Sequence, residues 1–384
     1  MFGSEYLLIP GPTPVPERVS RAMQQPMINH RGPAFHQMSA EIIEGVKKIY
    51  QTEKGRVVIY PSSGTGTIEA SVTNFISPGD KVLVVSIGAF GDRLAEVASA
   101  FGADVEKMDF AWGTCADPEK IRERLKQDTK HEIKALMVTH NETSTGAYND
   151  IEKISAAREG HPALMIVDGV SSLAAIEVKM DAWNIDVVLS GSQKAFMVPP
   201  GLGLMAFSER AYEAYKKNTN SHYYWDIEKS LKFQEKGETP FTPPVTIYFG
   251  LHESLKMMQE EGLENIILRH ARYRTLIRSA VEAMGLQNVA PAECASPVVT
   301  AVRVPEGLTP GEIRAKMHED FNMVVSGGQG KLAETTFRIG HLGYVREMDL
   351  VSCIAALEMT LKRLDVPVEL GAGVRKMQEI IMAR

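Results

Sequence analysis

Short apolar runs alternating with helical stretches organise the chain from about residue 57. Val57–Tyr60, Lys81–Ser86, Leu136–Thr139, Leu164–Asp168, Val187–Ser190 and Leu204–Phe207 are rich in β-branched and aliphatic residues. Several are apolar almost throughout, the pattern of strands covered on both faces. Between them, Gly91–Phe101 and Ile151–Arg158 read as helices. Upstream, Phe35, Met38, Ile42, Val46 and Ile49 recur at spacings of three and four, one helical stripe that needs a core to face. This alternation predicts an α/β fold: a large domain of three layers around a mostly parallel sheet.

The pattern changes after residue 225. Asp226–Pro244 is weakly patterned and ends in Thr239-Pro-Phe-Thr-Pro-Pro244, which predicts an extended segment. Helical patterns Thr246–Glu261 and Glu264–Met284 follow, then a strand Val298–Val304, a helix Pro310–Asp320, a strand Thr336–Ile339 and a helix Asp349–Leu364. These predict a smaller α+β domain at the C-terminus. The expected division is an N-terminal arm over 1–20, a large domain over 21–261 and a small domain over 262–384.

Composition excludes several classes. With 384 residues, 44% apolar and 23% charged, the chain can bury a sizeable core and is neither disordered nor fibrous. A net charge of −6 without a clustered basic face argues against nucleic acid as a partner. Apolar runs fall well short of the ~18 residues of a membrane span. Met1–Pro16 has no basic n-region, so it does not read as a signal peptide, and a cytoplasmic location is expected. Cys115, Cys294 and Cys353 lie far apart and are odd in number, so neither a disulfide framework nor a metal site is expected.

Three features fall at the ends of predicted strands, where open α/β sheets place ligands. Pro61-Ser-Ser-Gly-Thr-Gly-Thr67 leads from a strand into Ile68–Phe75 and could cradle an anion or simply form a tight turn. Asp168 ends the strand Leu164–Val167 and must find a cation or donors, or cap a helix. Lys194, in Ser190-Gly-Ser-Gln-Lys194, is either a solvated surface group or an amine activated by burial and neighbouring cations. An anion site, a carboxylate for a ring nitrogen and a Schiff-base lysine are together what a protein supplies to hold pyridoxal 5'-phosphate.

In this order, Ser63-Gly-Thr-Gly66, Asp168-Gly-Val-Ser-Ser172, Ser190-Gly-Ser-Gln-Lys-Ala195 and Pro199-Pro-Gly201 resemble the fold-type I pyridoxal-phosphate enzymes of the class V aminotransferase group. The greatest likeness is to alanine–glyoxylate and serine–pyruvate aminotransferases, and it runs from Pro10-Gly-Pro-Thr-Pro14 to Phe337-Arg-Ile-Gly340. The resemblance implies Lys194 as the Schiff-base lysine and general base, and Asp168 as partner of the ring nitrogen. It implies Ser63, Gly64, Thr65 and Gln193 at the phosphate, with Thr242 reaching it from the second chain of a homodimer. It further implies Phe90 stacked on the ring, Thr143 at the phenolic oxygen and Arg338 clamping the substrate carboxylate. Phe90 stands where relatives usually carry tryptophan, and Thr65 where they often carry histidine.

The implied reaction is ping-pong transfer of an amino group from a small amino acid, alanine or serine, to a 2-oxo acid, glyoxylate or pyruvate. Alternatives are another donor (aspartate, ureidoglycine, an aminophosphonate), a lyase or desulfurase of the same fold, or a cofactor-free interaction subunit. A dicarboxylate or phosphonate donor would need a second cation, for which Arg31 is a candidate. Ser326-Gly-Gly-Gln-Gly-Lys331 lacks the full nucleotide-loop pattern and reads as a loop near the carboxylate site. Asn29-His-Arg31 could enter the substrate channel or end a turn, and His140 reads as structural.

Overall fold

The computed structural model describes residues 5–383, so the first four residues of the expected arm and the last residue of the expected small domain lie outside it. Among the described residues the main sheet has seven strands: β1 (Arg56–Ser62), β2 (Lys81–Ser86), β3 (Asp104–Asp109), β4 (Ile133–Thr139), β5 (Leu164–Asp168), β6 (Val187–Gly191) and β7 (Gly201–Phe207). Their spatial order is β1-β7-β6-β5-β4-β2-β3. From β6 to β3 all neighbours run parallel, while β7 is antiparallel to both β6 and β1. The carboxyl ends of β1, β2, β4, β5 and β6 therefore share one edge of the sheet.

Burial explains the continuous apolar runs. In β2, Leu83 and Val85 join one core while Val82 and Val84 join another, and in β4, Leu136 and Val138 part from Ala135 and Met137 in the same way. Successive side chains point to opposite faces, so a sheet covered on both faces needs apolar residues at every position. The helix Pro33–Tyr50 turns Phe35, Met38, Ile42, Val46 and Ile49 into the first of these cores. At the opposite edge β3 is half exposed and carries Asp104, Glu106, Lys107 and Asp109, charges that blunt an unpaired strand edge; no apolar run marks it in the sequence.

While Val298, Val299 and Leu342 join the first core, a third core gathers Leu8 with other buried residues drawn from between Tyr273 and Met377. It packs under a small antiparallel sheet of β8 (Val299–Arg303), β9 (Ser326–Gly327) and β10 (Thr336–Gly340), with β10 in the middle. Helices Leu263–Ala283, Pro310–Phe321, Glu347–Arg363 and Ala372–Met382 cover it. The N-terminal segment joins the two regions. Tyr6–Leu7 pairs with Met323–Val324, the Leu8 carbonyl accepts from Gly340 N, and Thr13 bonds the backbone of Gln193 and Lys194.

Two expectations are corrected. Asp226–Pro244 is not extended throughout, because Ile227–Gln234 is helical: Asp226 caps it by accepting from Lys229 N, and Ile227 and Ser230 are buried. Cys115 and Cys294, read as unpaired, form a disulfide across 179 residues with their Cα atoms 5.5 Å apart. Nothing in local spacing marks such a pair, because the turn Ala292–Cys294 is brought to the 110–117 loop by the tertiary fold alone. Cys353 remains a free, buried thiol.

Candidate active site

The sheet edge defined by the carboxyl ends of the strands collects most of the candidate residues. β1 leads through Ser63 into the helix Gly64–Phe75, whose N-terminus has no side-chain cap. A Cβ on Gly64 would lie 2.7 Å from the Val170 side chain, and one on Gly66 would lie 1.9 Å from Ser62 Oγ, so a side chain at either place would push a neighbour aside. Ser63 and Thr65 are exposed at its mouth. Gln193 approaches from β6: a Cβ on Gly191 would meet Gln193 Oε1 at 2.9 Å and Gly64 N at 3.2 Å. That Oε1 is buried and has no hydrogen-bond partner within the protein. An uncapped helix start and two glycines in close quarters fit an anionic group such as a phosphate ester, to which the Gln193 carboxamide can offer its Nε2 donor.

Asp168 ends β5 with 4% of its surface exposed. Its carboxylate accepts from Val170 N at 2.9 Å and caps a turn, with no α-helix following. Burial pushes its carboxyl up to about 6, against the lowering pull of that bond and of Arg93 and Lys194. A carboxylate desolvated to this degree is completed by a cation or an N–H donor.

Lys194 follows β6 and is held on three sides by the N-terminal segment. Its Nζ donates to the Pro10 carbonyl at 2.6 Å, its carbonyl accepts from Thr13 Oγ1 at 2.9 Å, and Gly11 lies so close that a Cβ there would sit 2.5 Å from Nζ. Burial first, then the nearby Arg338 and Arg93 charges, bring the ammonium down from the ordinary 10.5 to about 8, with Asp168 acting in the opposite sense. This is the environment that makes a lysine a nucleophile.

Arg338 enters from the other region, on β10. Its Nε donates to the Gly327 carbonyl at 2.7 Å, and its Nη1 donates to the Thr143 carbonyl at 3.1 Å and to Gln329 Oε1 at 2.9 Å. The Ser326–Lys331 loop therefore does lie at this residue. Burial lowers the guanidinium to about 10, Glu142 acting in the opposite sense.

Phe90 sits in the first turn of the helix Ala89–Ala100, just beyond β2, with the Arg93 guanidinium 4.7 Å from its ring centroid. Thr143 lies in the 141–148 hairpin beyond β4, and its Oγ1 donates to Ser171 Oγ at 3.0 Å. Thr242 is exposed, away from the described contacts of the cleft. Arg31, the candidate second cation, pairs instead with Glu238 and lies 5.2 Å from the Phe233 ring centroid. His140 is buried: its backbone N–H donates to the Asp168 carbonyl and its carbonyl accepts from Asn149 N, while its ring Nδ1 has no hydrogen-bond partner among the described residues.

Residue types alone did not single out Arg93, Glu142, Ser144 or Gln329, whose roles arise from contacts between separate strand ends. None of the three cysteines offers the nucleophile of a desulfurase: two are joined, and burial pushes Cys353 up to about 12.

The model of the family described as aminotransferase class-V matches residues 5–345. A protein of Anabaena cylindrica named soluble hydrogenase 42 kDa subunit is 47% identical over 93% of each chain. The L-aspartate–glyoxylate aminotransferase of Paracoccus denitrificans is 40% identical over 99% of this chain and 96% of its own. The serine–glyoxylate aminotransferase of Arabidopsis thaliana is 40% identical over 97% of this chain and 94% of its own. Among solved structures, the ureidoglycine–glyoxylate aminotransferase of Bacillus subtilis superposes with a TM-score of 0.93 at 30% identity, covering 100% of this chain and 99% of that one. On the parallel sheet already described, these matches make the chain a member of the class V aminotransferases, pyridoxal-phosphate-dependent enzymes that transfer amino groups.

Proposed function

We propose that this enzyme moves the amino group of a small amino acid, serine or alanine, to glyoxylate. The observation that carries the reading is the opposition of Lys194 and Asp168 on the sheet edge to Arg338, whose Nε and Nη1 are fixed by Gly327, Thr143 and Gln329. No protein acceptor takes Arg338 Nη2 among the described residues, which leaves it for a substrate carboxylate. Three of the named relatives use glyoxylate. The pairing of Arg31 with Glu238 removes one cation that a dicarboxylate donor would require.

Ser63, Gly64, Thr65 and Gln193 would hold the cofactor phosphate, Phe90 the face of its ring and Thr143 its phenolic oxygen. Pyridoxal phosphate, when bound, supplies an aldehyde that condenses with amines and a ring that withdraws electrons from the donor's α-carbon. Lys194 Nζ would be the amine that holds that aldehyde at rest and, when free, the base that takes the donor's α-proton, a duty that a value near 8 suits. Asp168 would keep the ring nitrogen protonated, placing a negative charge where positive charge must persist. Arg338 orients the donor and the accepting oxo acid in turn through their carboxylates.

The reading extends to a homodimer in the cytoplasm, with Thr242 of one chain completing the phosphate site of the other and a cleft between domains divided near residue 262. Amino transfer to glyoxylate, measured as glycine formed from a panel of donors by the purified chain, tests the donor assignment. Serine or alanine should exceed aspartate by about tenfold or more in kcat/KM. Faster turnover of aspartate would overturn the assignment and point to Arg93 as the second cation.

A further inference from the structure

One fully buried carboxylate beside the cleft has no part in the steps above. Glu142 is 0% exposed, and four donors surround it. Its Oε2 accepts from Phe90 N and Gly91 N, each at 3.0 Å. Its Oε1 accepts from Ser144 N at 3.1 Å and from Ser144 Oγ at 2.5 Å. Ser144 Oγ in turn accepts from Ala89 N at 3.0 Å. The first three amides of the helix Ala89–Ala100 are thus held by a distant turn, because Gly88 has no side chain with which to cap its own helix. The approach is tight: a Cβ on Gly88 would lie 2.4 Å from Glu142 Cγ.

The same turn serves the opposite side of the cleft. Thr143, between the two capping residues, gives its carbonyl to Arg338 and its hydroxyl to Ser171. We propose that Glu142 is the positioning residue of this active site, fixing Phe90 at the start of its helix and holding in place the turn whose Thr143 carbonyl accepts from Arg338. This rests on the aminotransferase reading and on Phe90 as the stacking ring.

The isosteric change Glu142→Gln tests it. The new amide keeps one acceptor oxygen where the carboxylate offered two: with its N–H group toward Phe90 N and Gly91 N it sets donor against donor there, and with that group toward Ser144 it opposes Ser144 N, so either the helix start with Phe90 or the turn that holds it must shift. The expected result on cofactor-loaded enzyme is a changed visible circular dichroism band, kcat lower by about tenfold, and an unchanged KM for the donor. A residue that only stabilised the fold would lower the melting temperature while leaving the band and kcat intact, and a general disordering of the cleft would raise KM. Either pattern overturns the proposal. If Glu142→Gln yields no folded protein, Ser144→Ala decides: it leaves the carboxylate but removes the hydroxyl that links it to Ala89, and a wild-type band and kcat there overturn the proposal equally. Absence of amino transfer by the unaltered enzyme would count against the functional reading, and the change in the visible band would still report on Glu142.

Discussion

Replacing Arg338 with methionine should move the pH at which Lys194 reacts. Burial is the largest influence on the ammonium, and Arg338 is the next, the two holding it at about 8. An ordinary lysine near 10.5 is only about 0.03% neutral at pH 7, against about 10% at a value of 8, a gain of about 300-fold in reactive amine. One like charge across a partly hydrated cleft contributes about 1 kcal/mol, so its loss should cut the neutral fraction about fivefold below the inflection. The assay is the initial rate at which visible absorbance appears when cofactor-free enzyme meets pyridoxal phosphate, followed across pH. For the unaltered enzyme the rate should climb to about pH 8 and level off, and in Arg338→Met the inflection should move upward. Asp168→Asn should move it the other way, because Asp168 is the neighbour that raises Lys194. A rate still climbing steeply near pH 10, with no response to Arg338, would refute the reasoning.

Asp168→Asn should also stabilise the cofactor-free protein while lowering amino transfer. A carboxyl raised by burial from 3.8 to about 6 costs stability once pH exceeds its unfolded value, and the cost is complete above its folded value. The gain in unfolding free energy should therefore be up to about 3 kcal/mol near pH 7.5 and should fade toward pH 4, and a variant less stable than wild type at neutral pH contradicts this. Arg338→Lys keeps the charge but loses the planar fork, so kcat/KM should fall about 100-fold, mostly through KM, and unchanged KM values for both substrates would remove Arg338 from the carboxylate role. Reduction by a dithiol should raise the thiols titrated under denaturation from one to three, since only Cys353 is free. The chain between the bridged residues is long, so reduction should cost between about 2 and 5 kcal/mol of stability, and three thiols without reductant would refute the pairing.

The parts of this fold most legible in the sequence are those under the simplest physical constraint. Strands covered on both faces must be apolar throughout, so β2, β4 and β5 announce themselves, and the helix Pro33–Tyr50 shows its stripe because it has one buried face. The edge strand β3 has only one neighbour and a charged surface, so its residues resemble a loop. The helix Ile227–Gln234 is short and held chiefly by its cap and two buried residues, too little to produce a periodic signal.

The site divides in the same way. Lys194, Asp168 and the Ser63–Gly66 turn stand at strand ends with residue types that demand partners, and so could be named from sequence. Glu142 lies in the same hairpin as Thr143 yet carried no signal of its own, because its work is done on the backbone of Phe90, Gly91 and Ser144, and backbone donors look alike at every position. The Cys115–Cys294 pair was hidden for the matching reason that its two halves meet only after both regions have packed.

The central claim is that Lys194 is where pyridoxal phosphate is attached. Borohydride reduction of the purified, cofactor-loaded enzyme followed by peptide mapping measures this directly. The account predicts a single pyridoxyl-modified peptide carrying the label on Lys194, and loss of that label in Lys194→Ala. A label on any other lysine, or a loaded enzyme in which nothing is fixed, would contradict it.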